Sequence, residues 1–282
     1  MWVGDRISTL TGPAGYDGAE MGRSISFDRA ADFYDATRAE SEPVAAAITE
    51  SLLGEIHAAG GGPVLEIGIG TGRISRPLME HGVPVVGVDI SQRMMSRLLA
   101  QLPPGQRAPD LLLGDATRLA FCDDSFGCAL AVHVLHLVSS LPKAVAEVAR
   151  ILRPGGVLLH QTHSETEVHS AISGQFDELL RRRGVERQKG PRYEEIREAL
   201  AASGATSRTR MICEEEQQFD PEEVLREVRD RVHSWTWRVP KDAFRACLPE
   251  FEEHFRTRYA SAQIIERVTY DVEIWIWGRT GA

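Results

Sequence analysis

The feature that most constrains the fold is a nine-residue segment, Glu66–Ile74, which contains three glycines in alternation. An apolar run precedes it, and a predicted helix from Ile74 to Glu80 follows it. Strand, glycine-rich turn and helix in this order bring backbone N–H groups and a helix N-terminus close to a ligand. Asp89 ends the next apolar run, at the distance where an acid binds ribose hydroxyls. The segment therefore predicts a site for a nucleoside cofactor.

The glycine spacing argues against a nicotinamide or flavin dinucleotide. That fingerprint requires glycine at the first, third and sixth positions. The sixth position is Arg73 when the count starts at Gly68, and Ser75 when it starts at Gly70. Glu66, at the strand end, would repel a pyrophosphate but suits a ligand that carries an amino group. S-adenosylmethionine has an amino group, a ribose and no phosphate, so we predict it as the cofactor.

The glycine-rich segment is one of a series of motifs along the chain. They are Phe27–Arg38, Val64–Gly72, Gly87–Ser91, Leu113–Ala116, Ala120–Phe126, Val134–Val138 and Leu152–Leu158. In this order they resemble the class I S-adenosylmethionine-dependent methyltransferases, especially the small-molecule enzymes with a type 11 domain. The resemblance covers residues from about 25 to 163 and thins beyond Gln161. It departs from the family at Gly127, where aspartate is usual after the phenylalanine.

The resemblance implies roles for individual residues. Asp115 accepts a hydrogen bond from the adenine amino group, and Tyr34 and Arg38 lie near the entrance, where Arg38 meets the cofactor carboxylate. For Arg38, an ordinary surface charge on a helix is the alternative interpretation. The predicted cofactor-binding residues are Tyr34, Arg38, Glu66, Gly68, Gly70, Gly72, Asp89, Ile90, Asp115, Ala116 and His133.

Histidine is the predicted catalytic base, because its pKa suits proton removal near neutral pH. Four histidines fall at or after the ends of two predicted strands, where ligands bind in an open parallel sheet. His163 lies past its strand end and points more freely than His160. In the family, the position of His133 commonly contacts the cofactor. We therefore predict that His133 or His163 acts in catalysis, with a structural histidine as the alternative at each position.

The order of predicted elements indicates an α/β fold. Apolar strands alternate with amphipathic helices, which predicts parallel β-α-β units. With the family resemblance, the prediction is a Rossmann-like, seven-stranded, mostly parallel sheet with helices on both faces and a helical cap between the last two strands. We predict a flexible segment at 1–24 and one methyltransferase domain at 25–282. Its cofactor-binding core spans about 44–163, with cap segments at about 164–191 and 220–262.

The second cap segment is rich in aromatic residues. It contains Trp235, Trp237, Phe244, Phe251, Phe255 and Tyr259. One interpretation is that these side chains only pack the segment against the core. The other is that Trp235 and Trp237 line an apolar substrate pocket. We predict the second, and with it an apolar or aromatic-bearing methyl acceptor.

Composition excludes several classes of function. The net charge of −9 over 282 residues argues against a nucleic-acid substrate, whose phosphates favour basic surfaces. No apolar stretch approaches the roughly 20 residues that span a bilayer, and no secretory signal is visible. The four cysteines form no CxxC pair, which favours reduced thiols in a cytoplasmic protein. Neither cysteines nor histidines show metal-ligand spacing, so we predict no metal site.

The function that these patterns predict is methyl transfer from S-adenosylmethionine to a small-molecule acceptor, by in-line displacement. Alternatives are a protein or RNA methyltransferase and a non-catalytic, cofactor-binding scaffold protein. The acidic charge disfavours RNA, and the retained cofactor residues disfavour the scaffold. The sequence does not indicate whether O, N, S or C accepts the methyl group, and it does not indicate the oligomeric state.

Overall fold

The computed structural model describes residues 7–9, 24–164, 166–259 and 264–278. The chain divides into two compact units. The first unit comprises the residues up to Thr162, Pro191–Ile212 and those from Asp271 onward. The second comprises His163–Gly190 and Cys213–Tyr270, so that both predicted cap segments fall almost entirely within it. The long strands near the C-terminus pass from one unit to the other.

Eight strands form one sheet. They are β1 (Ile7–Thr9), β2 (Val64–Ile67), β3 (Val85–Asp89), β4 (Asp110–Leu113), β5 (Phe126–Val132), β6 (Leu152–His163), β7 (Ala205–Phe219) and β8 (Ile264–Trp277). Their order is β1-β4-β3-β2-β5-β6-β8-β7, and the first six are parallel. The strand order reverses direction at β2, which has β3 on one side and β5 on the other. Such a switch point is where open α/β sheets bind ligands.

Ten α-helices lie in the described residues. They are α1 (Tyr34–Arg38), α2 (Glu42–Ala58), α3 (Ser75–Glu80), α4 (Gln92–Gln101), α5 (Leu141–Ile151), α6 (Glu167–Arg182), α7 (Tyr193–Ala202), α8 (Pro221–Arg229), α9 (Ser234–Trp237) and α10 (Lys241–Tyr259). Short 3-10 helices occupy Asp28–Ala30 and Leu135–Leu137. Within the described part of the chain, no helix is both long and apolar enough to cross a membrane.

The predicted α/β sheet is confirmed, and the structure adds one strand to the predicted seven. The additional strand is β1, which pairs with β4 so that Ile7 lies opposite Leu111. The predicted flexible segment at 1–24 thus contains a strand at Ile7–Thr9, and its flexibility stays a prediction. The two β-branched residues of this tripeptide suit a strand, and without β1 the edge of β4 would be unpaired. Residues 1–6 and 10–23 lie outside the described residues.

Burial explains why the central strands form. All four residues of β2 are buried, and six of the seven in β5, as expected for a parallel sheet covered on both faces. Helix α5 buries Leu141, Ala144, Val145 and Val148, which recur at helical spacing on one face. Trp275 of β8 and Leu200 of α7 join the same core. The core thus fixes the strand ends that carry the candidate site.

The second unit has a hydrophobic core of its own, built from helices. Its buried residues come mainly from α6, α8 and α10, with Phe176, Phe251 and Phe255 among the largest side chains that are almost fully buried. The rings of Phe176 and Phe244 stack with centroids 5.0 Å apart. Most of the aromatic residues noted in the sequence therefore serve as core of this unit.

Candidate cofactor and active site

A cavity opens in the first unit where four parallel strands end. The residues that directly follow the strands line it: Gly68 after β2, Ile90 after β3, Gly114 after β4 and His133 after β5. The strand order thus brings together residues that are up to 65 positions apart in the chain.

The glycine-rich turn after β2 has the backbone conformation that its sequence predicts. Gly68 has φ of +74°, and a Cβ there would lie 2.6 Å from Cγ2 of Val134. Gly72 has φ of +73°, and a Cβ there would overlap the side chain of Leu98 in α4. A side chain at either position is excluded by both conformation and space. The turn therefore lies close against its neighbours and presents its backbone to the cavity.

Asp89 connects the end of β3 to this turn. Its two carboxylate oxygens accept hydrogen bonds from the N–H of Gly70 (2.8 Å) and the N–H of Ser91 (2.7 Å). Burial raises the pKa of the Asp89 carboxyl to about 6, although both N–H groups favour the charged form. The residue lines the cavity, as predicted for a ribose-binding acid.

Glu66 lies in β2 and is only 3% exposed. Its carboxylate accepts a hydrogen bond from the hydroxyl of Ser75, at the start of α3. Burial raises the pKa of Glu66 well above its ordinary value, and the nearby Arg73 guanidinium opposes this shift. A cationic group beside Glu66 would stabilise its ionised form. Its predicted contact with an amino group stays a prediction.

The segment from Asp28 to Arg38 is held against the site by side-chain hydrogen bonds. The Thr71 hydroxyl donates to Asp35 (2.5 Å), and the Ser91 hydroxyl donates to Asp28 (2.6 Å). Tyr34 of α1 lines the cavity, and burial raises the pKa of its hydroxyl. Arg38 donates to the carbonyl of Thr37 (3.3 Å) and is not one of the residues that line the cavity.

Arg73 is a feature of the site that the sequence analysis quoted but did not interpret. Its guanidinium pairs with Glu40, and it lies close enough to Tyr34 and Glu66 to lower the pKa of each. Its position within the glycine-rich turn was the available signal. The pairing with Glu40 was not predictable, because the two residues are 33 positions apart.

Three further predicted cofactor-binding residues, Ile90, Asp115 and Ala116, divide into two groups. Ala116 and Ile90 line the cavity. The Asp115 carboxylate instead accepts hydrogen bonds from the backbone N–H and the hydroxyl of Thr117, both at 2.8 Å. This local turn fixes the orientation of Asp115, whose contact with an adenine amino group stays a prediction.

The two predicted catalytic histidines fall in different units. His133 lines the cavity and has φ of +50°, a conformation that is uncommon for residues other than glycine. Such strain concentrates at functional sites. His163 belongs to the second unit, where its ring packs edge-to-face on Tyr270 and its Nδ1 lies 3.0 Å from the carbonyl oxygen of Ser164. A catalytic role for His163 stays a prediction.

Trp235 and Trp237 have defined packing partners in the second unit. The Trp235 ring lies 5.5 Å from the ring of Phe176, and Arg187 lies over its face. The indole N–H of Trp237 donates to the carbonyl oxygen of Arg231 (2.6 Å). Each tryptophan is partly exposed. These contacts give both residues a structural role, and their predicted contact with an acceptor stays a prediction.

The apolar side of the cavity was not predicted residue by residue. It is formed by Ile25, Phe27, Met94, Val134, Leu137 and Val138. Three of these lie in or beside the 3-10 helix after β5, a segment that the sequence analysis treated only as a motif. Periodicity could not reveal this surface, because neither 24–27 nor 134–138 forms a regular amphipathic element.

Residues 65–160 match a family model described as a methyltransferase domain. This region of the chain has the sequence of a type 11 methyltransferase domain, of the class I S-adenosylmethionine-dependent group. The matched range runs from β2 to β6 and includes the glycine-rich turn, Asp89, Asp115 and His133.

Curated relatives also match part of the chain. A phosphatidylethanolamine N-methyltransferase of Cereibacter sphaeroides is 36% identical over 105 residues, which are 36% of this chain and 51% of the relative. A malonyl-acyl-carrier-protein O-methyltransferase of Serratia marcescens is 35% identical over 137 residues, 49% of this chain and 51% of the relative. The chain thus spans about half the length of these relatives. Their names give two unlike acceptors, so the shared half does not identify the acceptor.

Solved structures show the same fold. A putative methyltransferase from Bacillus halodurans superposes with a TM-score of 0.54 and 17% sequence identity, over 81% of this chain and 99% of the other. At this identity the likeness supports the fold and carries no information about the substrate.

Proposed function

We propose that this methyltransferase transfers a methyl group from S-adenosylmethionine to an apolar or aromatic-bearing small molecule. The observation that supports the proposal most is the buried Asp89 carboxylate, which is held by Gly70 and Ser91 at the rim of the cavity. A carboxylate at the end of β3 suits ribose hydroxyls, and it would repel a phosphate. The polar groups at the strand ends therefore fit the cofactor that the family uses.

In this proposal the protein contributes positioning rather than an electrophile. S-adenosylmethionine supplies a methyl group on a sulfonium, which is open to in-line displacement. The glycine-rich turn would admit the methionine part close to the backbone, Asp89 would accept hydrogen bonds from the ribose, and Ala116 would contact the adenine. Holding two reactants in line is a large part of catalysis for such a reaction.

His133 is the proposed base in the first unit. It lines the cavity at the end of β5, and its backbone has a positive φ. We expect it to remove or to hold the proton of an acceptor O–H, N–H or S–H group. His133→Asn is the variant of choice, because asparagine tolerates a positive φ better than most residues. A loss of kcat with unchanged cofactor affinity supports the role, and an unchanged kcat contradicts it.

The apolar acceptor is supported by the wall of the cavity that Phe27, Leu137 and Val138 form. The proposal has three further parts. Trp235 and Trp237 contribute to acceptor binding, the protein is located in the cytoplasm, and the reaction needs no metal. Activity that EDTA abolishes and Mg²⁺ restores would contradict the last of these.

The experiment that tests the proposal is a screen of small-molecule extracts with cofactor labelled in the methyl group. Mass spectrometry then identifies the compound that gains the label. We expect one or a few apolar acceptors, and slower labelling with the Asp89→Ala variant at a cofactor concentration below its Kd. Labelling of RNA or protein fractions in place of small molecules would favour the alternative acceptors. Cofactor binding without any labelling would favour a non-catalytic protein.

A further inference from the structure

Three potential metal ligands come together in the second unit. They are His169 in α6, Glu227 in α8 and His233, which directly precedes α9. Each offers a ligand atom, and these atoms all lie within 4.8 Å of one another. The three residues come from separate helical segments, so no local repeat in the sequence predicts this cluster.

We propose that His169, Glu227 and His233 form a binding site for one Zn²⁺ ion. Two imidazoles and one carboxylate are a ligand set that Zn²⁺ uses in proteins, with a fourth position open to water or another oxygen ligand. Mg²⁺ and Ca²⁺ prefer sites made of oxygen atoms, so this set selects against them.

The distances fit a tetrahedral ion. Nε2 of His233 lies 3.1 Å from Oε2 of Glu227. Ligands that each lie about 2.0–2.1 Å from Zn²⁺ are about 3.4 Å apart in a tetrahedral arrangement. These two atoms are therefore already spaced as ligands of one ion. His169 is half-buried, and its ligand atom lies within 4.8 Å of the other two.

Backbone hydrogen bonds define the turn between Glu227 and His233. Helix α8 ends in a Schellman motif, in which the N–H of Val232 donates to the carbonyl of Glu227 (2.9 Å) and the N–H of Arg231 donates to that of Val228 (3.0 Å). Arg231 has the positive φ of +56° that this motif needs. The motif fixes the path from Glu227 to His233, six residues later.

The two imidazoles are oriented by their neighbours. Oγ1 of Thr166 lies 2.6 Å from Nδ1 of His169. When Nδ1 donates to this oxygen, Nε2 is left as the ligand atom, which is how an outer hydrogen bond usually orients a metal-binding histidine. Rings of Phe219 and Trp235 pack against His169 and His233, respectively. Aromatic rings around the site lower the local dielectric constant, which strengthens electrostatic interactions within it.

The ion would connect α6 to the α8–α9 segment and so stabilise the second unit. The proposal does not involve the cofactor residues of the first unit, and it leaves the metal-independent chemistry proposed there unchanged. Removal of Zn²⁺ is expected to lower the stability of the chain and to leave its affinity for S-adenosylmethionine unchanged.

The test uses the full chain, first stripped with EDTA and dialysed. Zn²⁺ is titrated in competition with a chromophoric chelator of known affinity. We expect about one equivalent bound at submicromolar Kd, and an affinity at least about 100-fold lower for both His169→Asn and Glu227→Gln. His254→Asn is the matched control, because His254 is an exposed histidine of α10 in the same unit, and it should bind as wild type.

Two further measurements keep the proposal open to refutation. Zn²⁺ should raise the unfolding temperature of the wild type and not of the two ligand variants, since only a ligand that binds the folded state stabilises it. X-ray absorption should show only N and O neighbours at about 2.0–2.1 Å. A sulfur shell, which would come from a cysteine, or equal Zn²⁺ affinity in wild type and both variants, would overturn the assignment. If Glu227→Gln does not fold, the test is the comparison of His169→Asn with the wild type, because His169 is half-buried and its substitution disturbs the core less.

Discussion

The two units of this chain are built on different principles. The first buries mainly aliphatic side chains around a parallel sheet, and its candidate site is formed by backbone at strand ends. The second buries aliphatic side chains and a group of phenylalanines between helices, in which the ring of Phe176 packs against those of Phe244 and Phe251. The first unit therefore presents a site whose shape depends on backbone conformation, while the second depends on the packing of helices through their side chains.

The largest expected effect separates the stabilities of the two units. Phe176→Ala removes a fully buried ring from the second unit and should lower the free energy of unfolding by about 3–5 kcal/mol. Urea unfolding measures this loss, and calorimetry under native conditions should show unchanged affinity for S-adenosylmethionine.

Leu65→Ala is the matched substitution in the first unit. Leu65 is fully buried in β2, one residue before Glu66. We expect this variant to lose both stability and cofactor affinity. A tenfold loss of cofactor affinity in Phe176→Ala would contradict the separation between the units.

The second prediction concerns the residue on which the cofactor assignment depends most. Asp89→Ala removes charge-assisted hydrogen bonds to the ribose and should weaken cofactor binding by about 1–3 kcal/mol, which is roughly 5- to 150-fold. Isothermal titration measures the change. Asp110→Asn, at an exposed position at the start of β4, is the control and should bind normally. If Asp89→Ala and Asp110→Asn bind the cofactor with equal affinity, Asp89 does not bind the ribose.

The pKa of Asp89 makes a prediction about pH. Because the pKa is about 6 in the folded protein and lower in the unfolded chain, the folded state binds more protons between about pH 4 and pH 6. The contribution of Asp89 to stability therefore falls as pH rises through this window. Cofactor affinity should change in the opposite direction, since the ionised form binds ribose: about tenfold weaker at pH 5 than above pH 7. An affinity that does not change from pH 5 to pH 7 would contradict this assignment.

The smallest expected effect concerns the acceptor. Trp235→Ala and Trp237→Ala should each raise the acceptor KM by about 5- to 10-fold, about 1 kcal/mol, while cofactor affinity stays constant. Phe244→Leu is the control for packing, because Phe244 is buried in the core of the same unit. If Phe244→Leu raises KM as much as the tryptophan variants, or if the latter change only stability, the two tryptophans are ordinary core residues.

The candidate cofactor site could be predicted because its residues lie close together in the sequence. The pattern consists of a strand, the glycines at 68, 70 and 72, and the acid at 89, and the structure brings these residues together. The strand β1 was missed because Ile7–Thr9 is a tripeptide within a polar segment, too short to show alternation. The cavity wall at Val134–Val138 was missed because irregular backbone has no period.

The second unit could be predicted only as helical and aromatic. The path of the chain between α8 and α9 depends on a Schellman motif at Arg231, a residue type that rarely adopts a positive φ. The meeting of His169 with Glu227 and His233 depends on how separate helices pack. Neither leaves a signal in residue spacing, so the prediction of no metal site had no means of detecting this cluster.

The central claim is that the first unit binds S-adenosylmethionine for methyl transfer. The most direct test is a calorimetric titration of the purified chain with S-adenosylmethionine, with its demethylated product and with NADH. The account predicts one site of micromolar or tighter affinity for the first two ligands and none for NADH. Tight binding of NADH without binding of S-adenosylmethionine would contradict it.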